Sequence, residues 1–230
     1  MLSTRTTFEL IHVGKCGGST IRAELSRNGF EFRCYHLERP IAQPDARYVV
    51  VVRDPVARFI SAFNWRKSLY LSGRLPPREA DNDAVALRHR VEREFLFIYK
   101  NVNALAEQLG SERERGVSST SLLMTLIGHV SQGFSWYLDE LLSNIKPNQI
   151  VAIVCCENLS NDCENCFGFR PTLKINQQQE NASSWLSNNG RANLANEFLA
   201  EYATLNKLYS MASRTGISMS VRYDPLNGVL

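Results

Sequence analysis

Short, densely apolar runs alternate along the chain with longer stretches in which apolar residues recur every three to four positions. The first pattern predicts buried strands and the second predicts amphipathic helices. Phe8 to Val13 (FELIHV) reads as a short buried strand. The glycine-bearing turn from Gly14 to Gly18 then leads into a helix running to about Asn28, with Ser19 or Thr20 as its cap. Glu31 to His36 predicts a second strand, interrupted soon after by Pro40 and Pro44. Arg47 to Val52 is the clearest strand, because its β-branched run needs burial on both faces. After the turn Arg53-Asp54-Pro55, residues Val56, Phe59, Ile60 and Phe63 recur at helical spacing, and Pro55 suits the first helical position.

Leu71 to Asp83, which holds Gly73, Pro76 and Pro77, is loop by composition. Helix is expected over Ala84 to Leu109, with a break near Asn101, and over Thr120 to Asn144. Gln149 to Cys156 predicts a further strand, and Asn158 to Asn189 reads as irregular and polar. Ala192 to Ala212 predicts one final helix with Leu194, Phe198, Tyr202, Leu205 and Leu208 on a common face. Strands alternating with helices imply an α/β fold with a largely parallel sheet, whose ligand site lies at the carboxyl ends of the strands. No repeat, low-complexity tract or linker interrupts the chain, so residues 1–230 are read as one domain.

Composition narrows the function more than the fold. With 44% hydrophobic and 21% charged residues, the chain has the make-up of an ordinary globular protein. A net charge of +3 is too small to point to nucleic acid or an anionic membrane, although it suits a small anion if the cations converge on one cleft. The longest apolar runs, Tyr48 to Val52 and Ile150 to Cys156, are far short of a membrane span, and Met1 to Thr7 lacks the apolar core of a signal peptide. The expectation is a cytoplasmic protein; a luminal domain separated from its anchor would read the same way. Cys155, Cys156, Cys163 and Cys166 cluster in CCENLSNDCENC, a spacing open to zinc or a disulfide. A second CxxC and a nearby histidine are both missing, so reduced thiols are the expectation and no metal site is assigned.

The most informative stretch is His12-Val-Gly-Lys-Cys-Gly-Gly-Ser-Thr-Ile21. It sets Lys15 and three glycines between a strand and a helix start. Glycines let backbone N–H groups approach an anion with no Cβ in the way, and the helix N-terminus adds partial positive charge. Lys15 adds a full charge, and Ser19 and Thr20 add hydroxyls. The lysine precedes Gly17 and Gly18, so the order required of an ATP-binding P-loop, G-x-x-x-x-G-K-[ST], is not met.

The order K-x-G-G-[ST]-[ST] resembles the 5′-phosphosulfate loop of sulfotransferases that use 3′-phosphoadenosine-5′-phosphosulfate (PAPS), especially carbohydrate-type, Golgi-type members, in a short form. Gly14 stands where that family usually has proline. Val49 to Phe63 (VVVVRDPVARFISAF) is similar to the family's 3′-phosphate motif, in which an arginine ends a strand and a serine follows on the next helix. The resemblance is specific over Phe8 to Trp65. It implies a P-loop-NTPase-like three-layer fold, with Lys15, Cys16, Gly17, Gly18, Ser19 and Thr20 around the 5′-phosphosulfate and Arg53 and Ser61 at the 3′-phosphate. Farther on, Gln149 to Leu159 looks like the family's late strand and its Glu-Asn-Leu turn. Lys174-Ile-Asn176 resembles a late K-x-N-x-S region, with Gln178 in place of the serine.

What the resemblance implies is transfer of the sulfuryl group of PAPS to a hydroxyl acceptor, with the 3′,5′-bisphosphate (PAP, 3′,5′-ADP) as product and no metal. Lys15 would stabilise charge on the leaving phosphate. The acceptor hydroxyl needs a general base. Related families place one near the end of the second strand, where His36 and Glu38 stand, and histidine's intrinsic titration range suits the task better. His129 is a third candidate, His89 reads as surface, and Cys16 has no nucleophilic role in the family chemistry. Arg58 and Arg66 read as solvated helix charges. Trp65, Tyr70, Trp136 and Tyr137 could stack on a sugar ring, though aromatics are more often core. Two alternatives stay open: a nucleotide-dependent kinase or phosphotransferase using Asp54 for Mg²⁺, and a non-catalytic module that binds PAPS or a sulfated glycan. The acceptor and the oligomeric state are left undetermined.

Overall fold

Tyr48–Val52 (β3) is buried along its whole length, as its run of valines demands. In the computed structural model, which describes residues 1–74, 83–173, 184–217, 220–225 and 228–229, it pairs in parallel with Phe8–His12 (β1) on one side and Ile150–Cys155 (β4) on the other. Phe32–Tyr35 (β2) pairs in parallel with the outer side of β1, giving a four-stranded all-parallel sheet in the order β2-β1-β3-β4. The α/β class expected from the alternation of elements is therefore observed. A short antiparallel pair, Tyr223–Asp224 (β5) with Gly228–Val229 (β6), was not foreseen.

The chain divides into two compact units, Met1–Pro55 with Gln132–Gln177 and Leu199–Leu230, and Val56–Ser131 with Gln178–Phe198. Each is assembled from separated stretches, so no linker composition marks the division in the sequence. The first unit holds the sheet, the helices Gly18–Arg27 (α1), Phe134–Asn144 (α6), Leu159–Phe167 (α7) and Leu199–Ser213 (α9), and the β5–β6 pair. Helix α1 links β1 to β2, α7 and α9 pack on β4, and α6 packs on α9. Helix α7 lies inside the stretch read as irregular. Its start is fixed by Asp162, whose carboxylate accepts from Cys155 N at 2.7 Å and from Asn158 Nδ2 at 2.9 Å.

In the second unit lie Pro55–Leu71 (α2, from its second residue on), Asp83–Ile98 (α3), Val102–Glu114 (α4), Ser119–Met124 (α5) and Asn188–Glu197 (α8). The break expected near Asn101 is real: that side chain caps α4 by accepting from Ala104 N at 3.0 Å. Two expected helices are each divided. Thr120 to Asn144 splits into α5 and α6, and His129 between them takes a left-handed φ of 73°. Ala192 to Ala212 splits into α8 and α9 at Phe198, so Leu194 and Phe198 belong to one unit and Tyr202, Leu205 and Leu208 to the other. The loop expected over Leu71 to Asp83 is trimmed at both ends, since Leu71 ends α2 and Asp83 begins α3; Pro76 and Pro77 lie outside the described residues.

Arg58 and Arg66 are buried, contrary to the solvated reading. Each guanidinium has partners that offset its desolvation. Arg58 donates to the carbonyl of His129 at 2.6 Å, and Arg66 forms a fork with Glu92. That carboxylate also accepts from Tyr70 Oη at 2.7 Å and Gly128 N at 2.8 Å. His89, read as surface, is half-buried, and burial pushes its imidazole below the usual range. No helix among the described residues is long and apolar enough to cross a membrane.

Candidate functional site

The chain leaves β1 to form β2 on one side and returns to form β3 on the other. The carboxyl ends of β1 and β3 are thus a topological switch point, where loops diverge and leave a crevice in open α/β sheets. Lys15 follows β1 and Arg53 follows β3, so this topology brings together two cations 38 residues apart.

The loop after β1 is a tight turn held by Cys16 N donating to Val13 O at 3.3 Å. Lys15 itself has a φ of 71°, a left-handed conformation that non-glycine residues rarely adopt and that is found at functional sites. Gly17, at φ 80°, is the N-cap of α1 and supplies no side chain to it. The expected caps, Ser19 and Thr20, instead sit inside the first turn, because the helix already begins at Gly18. The first helical donors are Thr20 N and Ile21 N, both to Gly17 O, at 3.1 and 3.3 Å. The N–H groups of Gly18 and Ser19 stand ahead of them, in the position from which helix starts hold anions. Gly18 is sterically required, and Gly17 is favoured by its left-handed φ of 80°. A Cβ on Gly17 would come within 3.3 Å of Cys156 Sγ, and one on Gly18 would overlap the His12 imidazole.

Electrostatics favour an anion here. Burial, reinforced by the charge of Arg53, lowers the Lys15 ammonium from 10.5 to about 8, with Cys16 opposing weakly. Arg53 Nη1 donates to Lys15 O at 3.0 Å, and its Nε lies 3.8 Å from Glu157 Oε1. Glu157, just past β4, also accepts from Asp54 N at 3.2 Å and from Tyr223 Oη at 2.5 Å. Glu157 is thus the carboxylate that faces Arg53. Asp54 is buried and accepts from Tyr202 Oη at 2.8 Å, which makes it a packing residue at the start of α2.

The remaining candidates scatter. His36 is half-buried just past β2, with Nδ1 3.2 Å from the His12 carbonyl, and Glu38 is exposed two residues on. Ser61 is buried on α2 and belongs to the second unit. His129 also lies there, packed on Trp65 with ring centroids 5.1 Å apart. Tyr137 is buried and accepts from Leu37 N at 3.0 Å, while Trp136 is half-buried under the guanidinium of Arg39. Lys174, Asn176 and Gln178 lie outside the described residues. All six cysteines are free. Burial pushes the thiols of Cys155 and Cys163 up to about 12 and that of Cys166 to about 11.

Tyr223 and His12 were not singled out from sequence, and Glu157 was read only as part of the Glu-Asn-Leu turn, with no role at the site. A carboxylate directly after a strand, beside a strand that ends in arginine, was the available signal for Glu157. Comparisons with protein-family models, curated proteins and solved structures return no match for this chain.

Proposed function

We propose that this chain is a PAPS-dependent sulfotransferase that transfers the sulfuryl group to a hydroxyl of an acceptor, in the first instance a carbohydrate. The observation that carries the reading is the meeting of Lys15 and Arg53 at the switch point, beside the glycine-bearing start of α1. Burial and the charge of Arg53 lower the Lys15 ammonium, so an anion shared by the two cations favours its charged form, and a 5′-phosphosulfate is such an anion. Lys15 and the N–H groups of Gly17 to Ser19 would hold and polarise the 5′-side, and Arg53 would hold the 3′-phosphate, a role that the resemblance also gives to Ser61. His36, with Glu38 and then His129 as alternatives, would take the acceptor proton. The P-loop-like three-layer arrangement is part of the same proposal.

A thermal-shift series with 3′,5′-ADP, adenosine 5′-phosphosulfate and ATP·Mg²⁺ tests it. A ligand at 100 times its Kd stabilises the folded state by about 2.7 kcal/mol, so 3′,5′-ADP should raise Tm and ATP·Mg²⁺ should not. Stabilisation by ATP·Mg²⁺ alone would instead make the chain a phosphotransferase. Calorimetry on Arg53→Ala refines the assignment. Loss of a charged hydrogen bond, about 1.5–3 kcal/mol, should weaken 3′,5′-ADP roughly ten- to hundredfold and adenosine 5′-phosphosulfate much less. Equal weakening would move Arg53 from the 3′-phosphate to support of the Lys15 loop, through its bond to the Lys15 carbonyl.

A further inference from the structure

His12 and His36 are brought together by strand register. β1 and β2 pair in parallel, with Ile11 opposite Tyr35, so the next residue on each chain is a histidine. The two imidazoles stack, with centroids 4.1 Å apart and planes 17° apart. His12 is buried. Its ring fills the space over Gly18, where no Cβ fits, so it is clamped between the first residue of α1 and the ring of His36. His36 is additionally held through Nδ1, 3.2 Å from the His12 carbonyl oxygen.

A carbonyl oxygen has no proton to donate, so this contact is a hydrogen bond only if Nδ1 of His36 carries the hydrogen. In the neutral ring the lone pair then resides on Nε2. We propose that His12 is a positioning residue that holds His36 as the Nδ1–H tautomer, with its ring parallel to that of His12, so that Nε2 is the basic atom. The inference rests on the sulfotransferase reading for its use. In that reaction, the acceptor hydroxyl proton passes to Nε2 of His36 as the acceptor oxygen bonds to sulfur. The bond from sulfur to the 5′-phosphate oxygen breaks, its electron pair staying on that oxygen beside Lys15. The imidazolium then returns its proton to water. The chain of contacts Gly18–His12–His36 sets the base relative to the anion loop through packed rings, with no flexible side chain between them.

Long-range ¹H–¹⁵N spectra of the imidazoles test this, recorded above the imidazole titration range and assigned with His36→Gln. His36 should show the Nδ1–H pattern in the wild-type chain and in His12→Phe, which keeps an aromatic ring against Gly18. In His12→Ala the carbonyl remains but the stacking partner is gone. The pattern should shift towards an average of both tautomers. An Nε2–H pattern in the wild-type chain overturns the proposal, and so does an unchanged pattern in a folded His12→Ala. Should His12→Ala fail to fold, loss of the Nδ1–H pattern in His12→Phe is the overturning result. Titration of the same samples with 3′,5′-ADP keeps the two readings apart. Absence of binding sinks the sulfotransferase assignment, whereas the spectra alone decide the role of His12.

Discussion

Lys15 is where the candidate chemistry is most concentrated, and its protonation should be measurable. Its ammonium is lowered to about 8, first by burial and then by Arg53, so it is charged below that pH and neutral well above it. An anion that joins the site favours the charged form. Affinity for 3′,5′-ADP should therefore be flat below pH 8 and fall above it, by up to about tenfold per pH unit, with proton uptake on binding. Calorimetry in buffers of different ionisation enthalpy reads both effects, and Lys15→Met should abolish them. Affinity that stays constant from pH 7 to about 9.5 would remove Lys15 from the anion site. Lys15, Gly17, Gly18 and Arg53 were legible in the sequence because their roles depend on local order: glycines after a lysine, an arginine after a buried strand. Glu157, Tyr223 and His12 were not. Their roles depend on strands meeting in the order β2-β1-β3-β4, and no local pattern carries that order.

Helix starts show the same limit at the next scale. The apolar spacing from Thr120 to Asn144 continues through the segment that breaks it, as Met124, Ile127, Phe134 and Leu138 are all buried. Periodicity therefore reported one helix. The second half, α6, begins at Gly133, whose missing side chain provides no cap. The cap is supplied from α9, where Glu201 accepts from Phe134 N at 2.5 Å, Ser135 N at 3.3 Å and Ser135 Oγ at 2.6 Å. Gly133 must be glycine for this, because a Cβ there would overlap the carboxylate. Glu112 does the same for α5, accepting from Thr120 N at 2.8 Å, and hydrogen bonding draws its carboxyl down to about 2 against the cost of burial. The Glu201 cap comes from 67 residues away in the chain, so the break before α6 had no local signal, whereas Glu112 lies only 8 residues before Thr120. Charged hydrogen bonds are each worth about 1.5–3 kcal/mol. Glu201→Gln should thus lower stability in urea by about that amount, and Gly133→Ala by a comparable or larger one. A change within about 0.5 kcal/mol for both, typical of neutral surface substitutions, would reduce the cap to a bystander.

Across the whole molecule, the titratable groups with shifted values are distributed unevenly between the two units, and this makes the alkaline limit of stability a regional property. The first unit contains all six cysteines. Five of them, Cys34, Cys155, Cys156, Cys163 and Cys166, have thiols raised by burial from the ordinary 9.0, three of them to between about 11 and about 12. Tyr35, Tyr48, Tyr209 and Tyr223 are raised as well. In the second unit, Tyr70 is the one thiol or phenol among the described residues with a raised value. A group with a raised folded value contributes its full stability below its unfolded value, and loses it as pH climbs through the folded one. For the thiols the loss begins near pH 9 and is complete only near pH 12. Lys15 acts in the opposite sense, adding stability between about 8 and 10.5, but it is one proton against five. The thiols win. Hydrogen exchange by peptide mass spectrometry, corrected for the chemical exchange rate at each pH, should show protection falling first in β1, β3, β4 and α7 as pH rises above 9. Protection in α3 and α4 should persist longer, and Cys163→Ala should delay the loss in the first unit. Simultaneous loss in both units, or loss starting in α3 and α4, would mean that the buried thiols do not set the alkaline limit.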